Sequence, residues 1–161
     1  MTCSPHLLLG LFSLLIVAAG SGCDYNVPLA TEPGRAIDER LIGRWASDKS
    51  LVRISRYDTH HYIVVLDEGV CRAWHTPVAG LDLVTLELLD GKPGTRTFLF
   101  LDYELTGGGD QLALRFISHD VIDKTITDTA SARRAIETNA KHPKLLGALP
   151  QMRRVKSPDS D

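Results

Sequence analysis

Thr97-Phe98-Leu99-Phe100-Leu101 is apolar at even and odd positions alike. Side chains of a strand alternate between the two faces of a sheet, so a run of this kind has both faces covered, or one face against a second layer. Neighbouring runs extend the pattern: Gly43 to Ala46, Leu51 to Tyr57, His61 to Leu66, Val70 to Thr76, Leu81 to Leu89, Thr95 to Leu105 and Gln111 to Ser118. Turn chemistry separates them at Ser47-Asp48-Lys49, Tyr57-Asp58-Thr59, Asp67-Glu68-Gly69, Ala79-Gly80, Asp90 to Gly94 and Gly107-Gly108-Gly109-Asp110. Short strands joined by such turns read as an antiparallel meander. The expected fold is mainly β: a small, closed or nearly closed antiparallel barrel with a helix packed on it.

That helix is expected over about 129–140. Asp128 or Thr129 can cap it, Ala132 and Ile136 share one stripe, and His142-Pro143 stops it. Leu145, Leu146 and Leu149 form an apolar patch expected to pack a loop, Gln151 to Val155 a final edge strand, and residues 157–161 a disordered polar tail.

The chain has 161 residues, of which 43% are hydrophobic, enough for one domain, assigned to 37–156. Net charge is −2, and Lys and Arg are interspersed with acids, which argues against nucleic acid as a partner. The first 22 residues carry no Lys, Arg, Asp or Glu, and Leu7 to Ala19 is an apolar run of signal-peptide length. A bilayer-spanning helix needs roughly 20 apolar residues, so a permanent span is the weaker alternative. Asp24 to Arg35, with two prolines and a glycine, reads as part of a flexible tether over 23–36.

After the apolar run, Gly20-Ser21-Gly22-Cys23 resembles the lipobox of bacterial lipoproteins. The resemblance implies a signal over 1–22, cleavage after Gly22 and acylation of Cys23, whose thiol is a good nucleophile for a diacylglyceryl group. Two or more acyl chains hold a protein on a membrane without a spanning helix. The implied location is the bacterial cell envelope, facing the periplasm, with Asp24 in the place of an inner-membrane retention signal. Cleavage after Ala19 or Gly20, leaving Cys23 a free thiol, is the alternative. Cys3 leaves with the signal in either case, and acylation of Cys23 would leave Cys71 without an intramolecular disulfide partner.

Gly43-Arg44-Trp45, at the start of the first strand, resembles the Gly-x-Trp opening of lipocalin-like, calycin-type barrels. The resemblance implies that Trp45 plugs one barrel end beneath an arginine from a late strand, with Arg115 the first candidate and Arg153 the second. A guanidinium over an indole contributes about 0.5 to 2 kcal/mol. The whole layout is similar to small envelope lipoproteins of lipocalin-like type and uncharacterised role, and the resemblance brings no active-site motif with it.

Tyr62, Trp74, Phe98, Phe100 and Phe116 are the candidates to line a cavity for a small hydrophobic ligand, since a barrel of about eight strands either holds one small molecule or fills itself with side chains. His61 and His75 are the candidate metal ligands. They face each other if Leu66 pairs with Val70; if the loop is Glu68-Gly69, Tyr62 faces His75 instead. A zinc site needs three or four ligands, and Cys71 is about 13 Å along the strand from His75. No metal or other cofactor is therefore expected. Cys71 reads as core packing. Asp82, Glu87, Asp102 and Glu104 read as solvated strand residues rather than a catalytic pair. The expectation is a non-catalytic, membrane-anchored protein that binds a small hydrophobic ligand or an envelope protein. The alternatives are an inhibitor or assembly factor acting through exposed loops such as Gly107 to Asp110, or an enzyme or metal protein using His61 and His75.

Overall fold

A computed structural model describes residues 25–67, 69–89 and 96–156. The signal segment, Gly22, Cys23, Asp24, the turn at 90–94 and the tail at 157–161 lie outside the described residues. Among the described residues there are nine strands: β1 Gly43–Ala46, β2 Leu51–Arg56, β3 His61–Leu66, β4 Gly69–Val78, β5 Leu81–Leu88, β6 Phe98–Thr106, β7 Gln111–Ile117, β8 Leu146–Ala148 and β9 Met152–Arg154. The helix α1 spans Thr129–Asn139. Strands β1 to β7 pair antiparallel in sequence order, and β9 pairs with both β7 and β1. Eight strands thus close a barrel of the form that Gly-x-Trp implies, and β8 adds a strand beside the far half of β7. The segment expected to be a final edge strand is the strand that closes the ring.

β8 and β9 share one side of β7 with a slip of one residue between them: Leu112 pairs with Met152, whereas Arg115 pairs with Ala148. Pro150 has no N–H to give the ladder, which breaks the strand there. Leu149 N still donates to Leu114 O at 2.9 Å. The patch expected to pack a loop is therefore partly sheet.

The turns β2–β3, β4–β5 and β6–β7 lie at one end of the barrel, called the mouth; the β1–β2 turn, the end of β3, the end of β5 and the start of β6 lie at the other, called the base.

Alternation of side chains builds two cores. The inner core lies within the barrel and buries Leu41, Trp45, Val52, Tyr62, Val64, Cys71, Ala73, Val84, Leu86, Leu112 and Met152. The outer core lies on the opposite face of β4 to β7, where Trp74, Leu83, Phe98, Phe100 and Ile117 are covered by α1 and by the segment from Tyr25. Asp128 caps α1 by accepting from Ser131 N at 2.8 Å, and Ala132 and Ile136 are its buried face.

The segment expected to be a tether is, from Tyr25 onward, a strap packed on the barrel. Tyr25 exchanges two backbone hydrogen bonds with Phe98, of 2.7 and 2.8 Å, and its ring stacks on Phe100 at 4.6 Å between centroids. Leu29 is fully buried. Carbonyls that prolines and short side chains leave free are taken by the barrel and helix: Trp74 Nε1 donates to Ala30 O, Thr129 Oγ1 to Pro28 O and Arg133 to Leu29 O. Gly34 N donates to His75 O at 2.8 Å, and a Cβ at Gly34 would run into the Pro77 ring. The strap thus runs from the base to the mouth, where Ile37 N donates to Thr59 O.

Candidate functional site

Trp45 is fully buried, and its Nε1 donates to Leu41 O at 2.9 Å. The guanidinium over its ring, 4.2 Å from the centroid, is that of Arg154, not Arg115 or Arg153. Register explains the difference. Arg154 lies opposite Trp45 on β9 and shares its inward face, so the adjacent Arg153 points outward. Arg115 lies opposite Asp102 on the outer face and donates to its carboxylate. Gly43 has φ +145, and a Cβ there would fall 2.7 Å from Arg154 Nη1, which accounts for the glycine of Gly-x-Trp. Arg154 also donates to the carbonyls of Gly109, Ile42 and Arg40, tying the mouth shut around the indole.

Beside this plug the inner core becomes polar. Tyr62, His75, Asp82 and Tyr103 take inward positions toward the mouth on β3, β4, β5 and β6, and the strap adds Arg35 and Asp38. They form a closed ring of contacts. Arg35 Nε donates to both carboxylate oxygens of Asp82, at 3.1 and 3.0 Å, and its Nη2 donates to Asp82 and, at 3.1 Å, to Tyr103 OH. Tyr103 OH donates to Asp38 Oδ2 at 3.0 Å. Asp38 N donates to Tyr62 OH at 2.6 Å, and Tyr62 OH lies 2.8 Å from His75 Nε2.

Those contacts assign the protons. The backbone N–H of Asp38 occupies the Tyr62 oxygen as acceptor, so the hydroxyl donates to His75 Nε2, and the ring proton sits on Nδ1. Nδ1 is 3.3 Å from Asp82 Oδ1, near enough for electrostatic attraction but out of line for a hydrogen bond, which leaves this buried atom without a hydrogen-bond partner. Burial, reinforced by the charge of Arg35, pushes the His75 pKa down despite Asp82, so the imidazole is neutral. Burial lifts Tyr62 well above the usual phenol range and pushes Tyr103 up to about 12. The hydrogen bonds from Arg40 hold Asp38 down to about 2. Burial opposes ionisation of Asp82, yet the hydrogen bonds and charge of Arg35 outweigh it and hold its carboxyl below the usual range.

The outer side of this ring opens into a cleft of about 560 Å³ lined by Arg35, Asp38, Arg40, Asp82, Tyr103 and Glu104, among others. Four acids, Asp38, Glu39, Asp82 and Glu104, line it against two arginines. Arg35 and Arg40 are committed to Asp82 and Asp38, and Glu39 to Arg56, whereas Glu104 is exposed. Tyr62 and His75 lie behind these residues and are 1% and 0% exposed. The cleft therefore offers solvent fixed charges and a phenol, not the imidazole.

His61 and His75 are not together. Leu66 pairs with Gly69 and His61 with Trp74, a third register one residue from the nearer of the two expected from the turn. His75 is next to Trp74 in the chain and so takes the opposite face. His61 sits outside, 2.9 Å from Asp58 through Nδ1, in a second cleft of about 260 Å³ with Glu32, Pro33 and His60. Among the described residues no group of three His, Cys, Asp or Glu is placed to hold a metal ion. Cys71 is buried in the inner core.

The five aromatic candidates are divided. Tyr62 is inside the barrel, and Trp74, Phe98 and Phe100 are outside it in the outer core. Phe116 is on the inward face near the base, half-buried, with its ring where a Cβ of residue 147 would be. Glu87, expected to be solvated, is buried between Arg72 and Arg96, at 2.6 and 2.7 Å. Arg35, Asp38 and Tyr103 were not singled out from the sequence. Their signal is the placement of Asp82 and Tyr103 on the same parity as Val84 and Leu101, where a filled barrel has apolar side chains.

Comparison of the chain with protein-family models, with curated proteins and with solved structures finds no match. Among the described residues no helix is long and apolar enough to cross a membrane.

Proposed function

We propose that this protein is a non-catalytic envelope lipoprotein, attached through acylated Cys23, that binds a protein partner at the charged mouth of its barrel. The observation that carries the binding assignment is the open cleft of about 560 Å³ at the mouth, lined by fixed charges and set directly outside the buried Trp45 and Tyr62. Preorganised charges of this kind give specificity to a partner's polar groups rather than to an apolar molecule. The excess of acids favours a partner with a basic segment, and the exposed Glu104 is free of the pairs that hold the other charges.

A photo-crosslinking side chain in place of Glu104 is expected to capture a discrete protein in the native envelope, and the same group in place of Glu137, on the exposed face of α1, is not. Mass spectrometry of the intact protein under native conditions is expected to show no retained apolar molecule. A stoichiometric apolar ligand in that spectrum, with no crosslink from position 104, would return the assignment to ligand carriage.

A further inference from the structure

We propose that the base of the barrel rests on the interface of the bilayer that holds the Cys23 acyl chains, so that the charged mouth points away from the membrane. The proposal rests on the lipoprotein reading above and adds a docking surface to it.

Three observations converge on the base. First, Tyr25 is fixed by its two backbone bonds to Phe98, the first residue of β6 and thus at the base. Cys23 is two residues upstream, and two residues of fully extended chain span at most about 7 Å. An anchor there brings the base, not the mouth, to the lipid.

Second, the base is apolar where the mouth is charged. Of the five large hydrophobic side chains exposed among the described residues, Leu51, Val65 and Leu89 lie on the outer face at the base, at 40%, 39% and 50% exposure; Leu149 lies on the β8–β9 seam and Tyr57 at the mouth. Val65 pairs with Val70, and Leu89 N donates to Val70 O at 2.9 Å, so these side chains are neighbours across β3, β4 and the end of β5. On the inward face, Leu66, Leu88 and Phe116 are only half-buried at the same end.

Third, cations flank the patch at the height of headgroups. Arg53 is exposed opposite Val65, and Arg72 and Arg96 share the one carboxylate of Glu87. The nearby Asp67 accepts from Leu51 N. The guanidiniums of Arg53 and Arg96, both exposed, can meet lipid phosphates. A surface this small would not hold a free protein on a membrane. Tethered through the acyl chains, it meets lipid at high effective concentration and needs only a weak preference to set orientation.

The test uses the full chain, purified from membranes and reconstituted in vesicles of phosphatidylethanolamine with a minority of phosphatidylglycerol. Mass spectrometry of the N-terminal peptide first establishes whether Cys23 is acylated. Spin labels then replace Val65, Leu89 or Glu104 through V65C, L89C and E104C, the wild-type chain serving as the blank because Cys71 is buried. Labels at 65 and 89 are expected to be several-fold less accessible to a water-soluble nickel chelate than the label at 104, and more accessible to oxygen. Equal access of the chelate to all three positions, with Cys23 acylated, overturns the docking and leaves the anchor standing. Protection of 65 and 89 from both quenchers points to a protein or a second copy of this chain on the patch, and also overturns it. An unmodified Cys23 removes the anchor and the docking together.

Discussion

The inner and outer cores share strands β4 to β7 but are built from different side chains. On β4 the inward residues are Cys71, Ala73 and His75, whereas outward lie Trp74, Thr76 and Val78. β6 puts leucines inside and Phe98 and Phe100 outside. An eight-stranded barrel has room for side chains from all strands only if most are small or slender. Inside, the rings of Tyr62 and Tyr103 join Trp45 toward the mouth and Phe116 lies toward the base, whereas Trp74, Phe98 and Phe100 are turned outward, where they need a cover. The strap and α1 are that cover. Each buried aromatic removes about 150 to 250 Å² from water, so the outer core is as much a part of the fold as the barrel itself.

The sharpest way to break this equivalence is to truncate one ring in each core. Trp45→Ala and Phe100→Ala are each expected to cost about 3 to 5 kcal/mol, measured by urea denaturation. If the cores are one cooperative unit, both variants keep a single transition seen alike by fluorescence and circular dichroism. A second transition in Phe100→Ala alone would show that strap and helix melt separately from a barrel that persists.

The polar end of the inner core gives the next largest effect. Tyr62→Phe removes one hydroxyl but leaves two buried groups unsatisfied, the N–H of Asp38 and Nε2 of His75. A cost of about 1 to 3 kcal/mol is expected, together with faster amide exchange at Asp38. Tyr103→Phe, whose partners Arg35 and Asp38 keep other bonds, is expected to cost less. Equal costs would mean that the ring of contacts is not closed through Tyr62.

The smallest effects are pH-dependent, and they arise at the polar end of the inner core. Burial lowers the folded pKa of His75, so below the ordinary value of about 6.5 the unfolded chain binds the proton more readily. Stability is complete above that pH and is lost as pH falls toward the folded value, at no more than about 1.4 kcal/mol per pH unit. His75→Gln is expected to abolish this slope in urea titrations between pH 7 and about 5. Asp38 acts in a lower window: its folded pKa of about 2 lies below the ordinary 3.8, so its contribution is present above 3.8 and is lost as pH falls from there toward about 2. With Arg40 exposed, solvent screens that pair and the effect is small.

The strands were largely legible because each is bounded by turn residues and carries its own alternation. Gly43–Ala46 and His61–Leu66 agree with the sequence at both ends, and α1 lies one residue from its expected position. β8 was not legible, since Leu146-Gly147-Ala148 has neither length nor alternation and is strand only because β7 offers a partner. The strap was misread for a related reason. Prolines and a glycine mark a segment without regular structure, but they do not distinguish a free chain from one held by side chains such as Trp74, Thr129 and Arg133. At the candidate site the residue types were visible and the register was not. A turn one residue shorter than the nearer alternative puts His61 against Trp74 rather than His75, and turns a candidate pair into two unrelated residues.

The route of the strap has a mechanical consequence. It is held at the base by the Tyr25–Phe98 backbone bonds and at the mouth by Gly34, Arg35 and Ile37. If Cys23 is the anchor proposed above, a pull toward the membrane would load these fastenings in turn, beginning with the two at Phe98. Only when those and the carbonyl bonds to Trp74, Thr129 and Arg133 have parted does the load reach Arg35 and, through Asp82, the wall of the mouth. With that anchor, the strap would work as a strain relief, absorbing a tug along its length before the charged mouth is deformed.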